Sequence, residues 1–363
     1  MDRKPSSQRI GYYPQQQSAP TPPQRPAAQG HAASRPPQRA PKRSAPSRTG
    51  RPRKRRRLRL NPRALLLLIC AGVFVTCAFL LVRYFVNIAV TRQASQQLEE
   101  AYSAAMQSTD VPAQPTPEPS AAPTSTALPL PTASTAPLAE ELWPDRYPSN
   151  PSLRVSSVFY ELQRQNADIV GWLKIDGVLE EAVLQRDNSY YLTHNALGQR
   201  SVTGALFLDE GCDLRTVPTQ MLIHGHNMKE GAMFGSLKKY KVKDASFYRA
   251  HPFIDFNTIY ENGRYVIFAV AEVDLRYGQH DYLPFWRDVR FSSADAFVQY
   301  VEKAQSLSHY HCNVDVQPGD RLLTLSTCTG TDDNKRLLVM ARKLRDNEDA
   351  LELNISILST DDR

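Results

Sequence analysis

The chain has 363 residues and a formal charge of +7, but neither its charge nor its 27 prolines are evenly spread. Residues 1–63 hold 17 Lys or Arg against Asp2 alone, a local balance of +16 that leaves −9 for the rest. The basic character therefore belongs to a tail, which excludes a strongly basic folded domain of the kind that grips nucleic acid.

That tail, residues 1–63, carries twelve prolines and reads as a disordered segment ending in Arg51-Pro52-Arg53-Lys54-Arg55-Arg56-Arg57-Leu58-Arg59. Alone it is a candidate for binding nucleic acid, but the apolar segment after it reads against that partner. Ala64 to Val82 is a 19-residue stretch without a charge, the length at which a helix crosses a hydrocarbon core of about 30 Å. The span is placed at residues 64–86, with Arg83 and Tyr84 at the far interface. The positive cluster before it predicts a cytoplasmic N-terminus and an outward-facing remainder. A cleaved signal peptide fits less well, because the apolar stretch is long and begins far into the chain. Residues 87–107 read as a polar helical stem, with Gln96, Gln97, Glu99 and Glu100 solvated. Residues 108–151, rich in Pro, Ser, Thr and Ala, lack apolar periodicity and predict an extended stalk. At about 3.1 Å per residue its Ser108–Ala139 core would reach on the order of 100 Å.

Only four prolines lie beyond Pro151, so residues 152–363 are the predicted folded domain. Helical periodicity predicts a helix over Ser156–Asn166 with Val158, Phe159 and Leu162 inward, and another from Ser292 to Ser306 capped by Ser292 or Ser293. Strands are predicted at Val170–Ile175, Gly204–Asp209, Gln220–His224, Phe253–Phe256, Tyr265–Val273, Arg321–Ser326, Leu337–Ala341 and Leu353–Leu358. So many short strands in one domain predict a mainly β fold, a barrel or a sandwich. Cys70 and Cys77 lie in the span as small apolar residues. Cys212, Cys312 and Cys328 lie outside it, an odd number that leaves at least one thiol unbridged; a Cys212–Cys312 disulfide stays open.

Cys328 closes the run Thr324-Leu325-Ser326-Thr327-Cys328 and opens a polar loop, where a thiol is presented as a nucleophile; the plainer alternative is a small buried residue. Little of a thiol is ionised at neutral pH, so it needs a base or a cation nearby. His226, in a Gly-containing turn after Met221-Leu222-Ile223, supplies either; His224 is the competing candidate. Arg336, just before the strand Leu337–Ala341, can donate to an oxyanion without losing its charge. Lys335 is the alternative cation, and an exposed edge Arg the plainer reading. The pairs His224/His226 and His309/His311 lack zinc-ligand spacing, and neither metal nor cofactor is expected.

These residues resemble the class B sortases, cysteine transpeptidases of Gram-positive bacteria. Thr324–Cys328 is similar to the family's Thr-Leu-x-Thr-Cys signature, Arg336 to its catalytic Arg, and Ile223–Lys229 with Met233-Phe234 to its histidine segment. Gln165–Leu173, Asp187–Leu192 and the Ser292–Ser306 helix resemble features of class B. The resemblance covers about Ser156 to Leu358. It implies an eight-stranded sortase barrel with an N-terminal helix and a helix inserted before the catalytic strand. It further implies His226, Cys328 and Arg336 as catalytic residues, and Ser326, Thr327 and Asn227 as substrate-binding positions. The implied substrates are secreted proteins with an Asn-Pro-x-Thr-like C-terminal sorting signal, and the implied acceptor an amine of a peptidoglycan precursor or pilin. A loop of only eight positions from Cys328 to Arg336 is short beside many class B members. Two other readings stay open: a surface cysteine endopeptidase that hydrolyses the same thioester, and a non-catalytic membrane-anchored scaffold.

Overall fold

The computed structural model describes residues 62–109, 142–143, 146–287, 289–330 and 332–358. They fall into two units divided between Val82 and Arg83. The tail and most of the expected stalk lie outside the described residues.

Helix α1, Pro62–Thr109, contributes to both units. Its first part keeps Leu67, Phe74, Val75 and Leu81 exposed. It is the described helix long and apolar enough to cross a membrane. From Arg83 onward α1 belongs to the same unit as the barrel, where Thr91, Ala94, Leu98 and Tyr102 are buried. Gln96, Gln97, Glu99 and Glu100 face outward as expected. The expectation of a mere stem is thus revised: an apolar stripe at helical spacing docks this segment on the domain. Tyr102 stacks on Trp172 with ring centroids 4.4 Å apart, and its hydroxyl accepts from Asn257 Nδ2 at 2.8 Å.

The domain is a closed barrel of β1 (Ile169–Ile175), β2 (Leu179–Leu184), β3 (Leu206–Leu208), β4 (Gln220–His224), β5 (Phe253–Thr258), β6 (Arg264–Asp274), β7 (Leu322–Cys328) and β8 (Lys335–Lys343). Around the barrel the order is β1-β2-β3-β4-β7-β8-β6-β5. Pairs β2–β3 and β4–β7 are parallel and the others antiparallel. Closure removes every sheet edge, and Leu173, Ile223, Ile267, Leu325 and Val339 are among the buried side chains of its core.

Helix α2, Ser157–Gln165, buries the expected Val158, Phe159 and Leu162. The short α3, Ser246–Ala250, precedes β5. Helix α4, Ala294–Ser306, starts where Ser293 Oγ accepts from the Ala296 amide at 3.1 Å, and buries Phe297, Tyr300, Val301 and Ala304.

Three further points depart from the sequence reading. Strand β2 escapes the alternation pattern because Glu180 and Glu181 interrupt its apolar run, although Asp176-Gly177 marks the turn from β1, with Gly177 at φ +68°. Leu353–Leu358 is not a strand but part of helix α5, Ala350–Leu358. Asp349 Oδ1 accepts from the amides of Leu351 and Glu352, and a closed barrel offers no edge for a further strand. The domain also begins before Ser152. Trp143 and Tyr147, expected in the stalk, are buried; Trp143 packs on Phe291 and Phe297 and donates from Nε1 to the Asp320 carbonyl at 2.9 Å.

Candidate active site

Strand β7 runs two residues further than expected and β8 starts two earlier, so Cys328 and Arg336 lie within the sheet as directly opposed partners. Opposed residues of an antiparallel pair direct their side chains to the same face, with Cβ atoms about 5 Å apart. On the other side of β7, β4 pairs in parallel as far as His224 opposite Ser326. Two bonds extend that match past the strand end: the Gly225 amide donates to the Ser326 carbonyl at 3.2 Å, and Thr327 Oγ1 to the Gly225 carbonyl at 2.7 Å. His226 is thereby level with Cys328. Three neighbouring strands, β4, β7 and β8, bring His226, Cys328 and Arg336 to one end of the barrel with the thiol in the middle.

His226 Nε2 is 2.8 Å from the Leu192 carbonyl. A carbonyl can only accept, so the ring proton resides on Nε2, leaving Nδ1 as the nitrogen able to take a proton. Leu192 closes the 3₁₀ turn Tyr190–Leu192, inside the Asp187–Leu192 segment noted in the sequence.

Arg336 is only 3 % exposed. Its Nη1 donates to the carbonyls of Asp333 at 2.7 Å and Lys335 at 3.0 Å, which orient the guanidinium. This replaces the exposed edge Arg as a reading: burying a cation costs several kcal/mol unless it is hydrogen-bonded, a cost on the order expected at a functional site. Lys335, the alternative cation, pairs instead with Asp281 at 3.0 Å.

His224 is fully buried, its Nε2 2.9 Å from Asp209 Oδ2, which also accepts from Asn188 Nδ2 at 3.0 Å. It belongs to the interior of the fold. Ser326 and Thr327 are likewise buried, Thr327 through its bond to Gly225, and the Ser326 hydroxyl finds no hydrogen-bond partner among the described residues. Asn227 is half-buried and donates from Nδ2 to the Cys328 carbonyl at 2.8 Å. It ties the histidine segment to the strand end bearing the thiol.

Cys212 and Cys312 are both unbridged thiols. Burial pushes Cys312 up to about 12 and Cys212 higher still, so neither ionises near neutral pH. Among the described residues no group of three His, Cys, Asp or Glu side chains could hold a metal ion.

Two features were not legible in the sequence. The Leu192 carbonyl is a backbone atom, invisible to any residue pattern. The second is a latch across the loops beside the thiol: Arg276 donates from Nε to Asp274 Oδ1 at 2.9 Å, and its Nη2 reaches Asp274 Oδ2 and, at 3.3 Å, Asp332 Oδ2 in the Cys328–Arg336 loop. The Arg276 guanidinium holds the Asp274 carboxyl down at about 2. The nearest sequence signal is the spacing Asp274-Leu275-Arg276 at a strand end.

The Sortase domain family matches residues 173–344. Sortase B of Listeria monocytogenes is 35 % identical over 203 residues, covering 55 % of this chain and 79 % of that protein. Sortase B of Staphylococcus aureus is 27 % identical over 191 residues, covering 52 % of this chain and 75 % of that one. In shape, the Staphylococcus aureus sortase B–substrate complex superposes with a TM-score of 0.54 at 21 % identity, covering 72 % of this chain and all of that one.

Proposed function

Because this chain belongs to the sortase family, in class B, and is a cysteine transpeptidase, we propose that Cys328 is its nucleophile, His226 its proton carrier and Arg336 its oxyanion partner. The observation that carries this assignment is the opposed pair Cys328–Arg336, with His226 level with it just past the end of β4. The Cys328 thiolate attacks a backbone carbonyl, forming the C–S bond as the carbonyl pair moves onto oxygen. Arg336 stabilises that oxyanion by hydrogen bonds from a charged group in a water-poor place. On collapse the C–N bond breaks, and protonated His226 gives its Nδ1 proton to the leaving amine. An incoming amine then attacks the thioester, loses a proton to His226 and releases Cys328.

The substrate is a secreted protein with an Asn-Pro-x-Thr-like sorting signal, and the acceptor an amine of a peptidoglycan precursor or pilin. Asn227 contacts the sorting signal beside Cys328, while Ser326 and Thr327, both buried, shape the site from beneath. Helix α1 crosses the membrane over residues 64–86 with the N-terminus cytoplasmic, in keeping with the basic run before it. The test is to offer the full chain a library of sorting peptides and amines and to read products by mass. Ligated products from Asn-Pro-x-Thr-like peptides, abolished by Cys328→Ala, are expected; ligation of other motifs alone overturns the substrate assignment, and retained ligation in Cys328→Ala overturns the nucleophile.

A further inference from the structure

The mechanism needs His226 held with its proton on Nε2, and the carbonyl that holds it belongs to a loop with no strand of its own. Two backbone bonds flank that carbonyl. The Ser201 amide donates to the Thr193 carbonyl at 2.8 Å, and the Ala205 amide to the Tyr191 carbonyl at 3.0 Å, so residues 201–205 clasp Tyr191–Thr193 on both sides of Leu192. Between these bonds lies Gly204, at φ +59°. A Cβ there would sit 2.4 Å from the Tyr191 carbonyl oxygen and 3.1 Å from His226 Cδ2. The segment therefore touches both the carbonyl's loop and the imidazole itself.

Residues 200–203 are themselves held from outside the barrel, by α1. Asn87 donates from Nδ2 to the Arg200 carbonyl at 3.1 Å, and its Oδ1 accepts from the Val202 amide at 2.7 Å. One helical turn on, Thr91 Oγ1 lies 2.7 Å from Ser201 Oγ, which lies 2.7 Å from Thr203 Oγ1, a chain of three buried hydroxyls. Residues 87 and 91 share one face of the helix. A two-point amide clamp with a buried hydroxyl chain fixes position and direction together. It resembles the shell of hydrogen bonds that a catalytic group requires to stay within a fraction of an ångström of its working geometry.

We propose that Asn87 and Thr91 are positioning residues for His226: through residues 200–204 they set the Leu192 carbonyl and the imidazole, making the start of the barrel-packed part of α1 a working part of the catalytic unit. The inference rests on the assignment of His226 as the proton carrier. A displacement of about 1 Å in such a group costs on the order of a hundredfold in rate.

The experiment compares full-length wild type with Asn87→Ala/Thr91→Val, Thr91→Val, Thr91→Ser and His226→Ala in detergent. It records kcat and KM for peptide transfer, the pH profile of Cys328 alkylation by iodoacetamide, and Tm. The double variant is expected to lose about ten- to a hundredfold in kcat with KM within about twofold, and to shift the pH profile of alkylation. Thr91→Val, nearly isosteric, shows a smaller loss in the same direction, and Thr91→Ser restores wild-type behaviour. Should the double variant fail to fold, Thr91→Val alone is decisive. A lowered Tm with unchanged kcat and unchanged pH profile overturns the proposal. Retained activity in His226→Ala overturns instead the assignment on which it rests.

Discussion

Cys328, the last residue of β7, and Arg336, the second of β8, are direct partners across an antiparallel ladder, although a loop separates them in sequence. The fold thus places a buried guanidinium at a fixed distance from the thiol. A lysine cannot reproduce the two bonds from Nη1 to the Asp333 and Lys335 carbonyls while still facing the thiol. Arg336→Lys is expected to lower kcat for peptide transfer about a hundredfold with KM little changed, as measured by steady-state kinetics.

The stack of Tyr102 on Trp172 ties α1 to β1. Tyr102→Ala removes the ring and its bond from Asn257, and is expected to destabilise the domain by about 3 kcal/mol. Tyr102→Phe keeps the stack and loses only the hydrogen bond, about 1 kcal/mol. Urea unfolding of the two variants distinguishes them; equal losses would show that the ring stack contributes nothing.

Glu181 lies under α1, where burial raises its carboxyl to about 7, opposed by a Ser95 hydrogen bond and reinforced by Glu99. Its folded value exceeds its unfolded one, so the folded state binds the extra proton between about 4.5 and 7. Stability is therefore expected to fall as pH rises through that window. Glu181→Gln should remove the slope and stabilise the domain at pH 8 by on the order of 1–2 kcal/mol, read from Tm against pH.

Asp274 has the opposite sign. Held at about 2 by Arg276, it contributes stability that is present above about 4 and is lost as pH falls toward 2. Arg276 is half-exposed, so screening limits the contribution to on the order of 1 kcal/mol. Asp274→Asn should flatten the acid limb of the Tm profile between pH 4 and 2, and an unchanged limb would rule out the latch as its source.

The roles most legible in the sequence were those written in short, local patterns. The charge-free run from Ala64, the faces of α2 and α4 and seven strands depend on periodicity over a few residues, and each lies within a few positions of its expected place. Strand β2 was hidden by Glu180, which pairs with Lys174, and by Glu181, which bonds Ser95 of α1. The strand expected over Leu353–Leu358 yielded to the Asp349 cap, and the helix packs Ile357 inward.

By itself the sequence determined the candidates for the chemistry: a thiol at a strand end, a histidine after another strand and an arginine eight positions on. It could do so because side-chain type and local presentation are short-range properties. Only the tertiary structure decided which residues meet. The parallel pairing of β4 with β7 brings together segments about a hundred residues apart, sets His226 beside the thiol and leaves His224 inside with Asp209. It also places the Leu192 carbonyl on the imidazole and α1 on the loop behind it, because those contacts are made by backbone atoms and by segments distant in the chain, which no local pattern encodes.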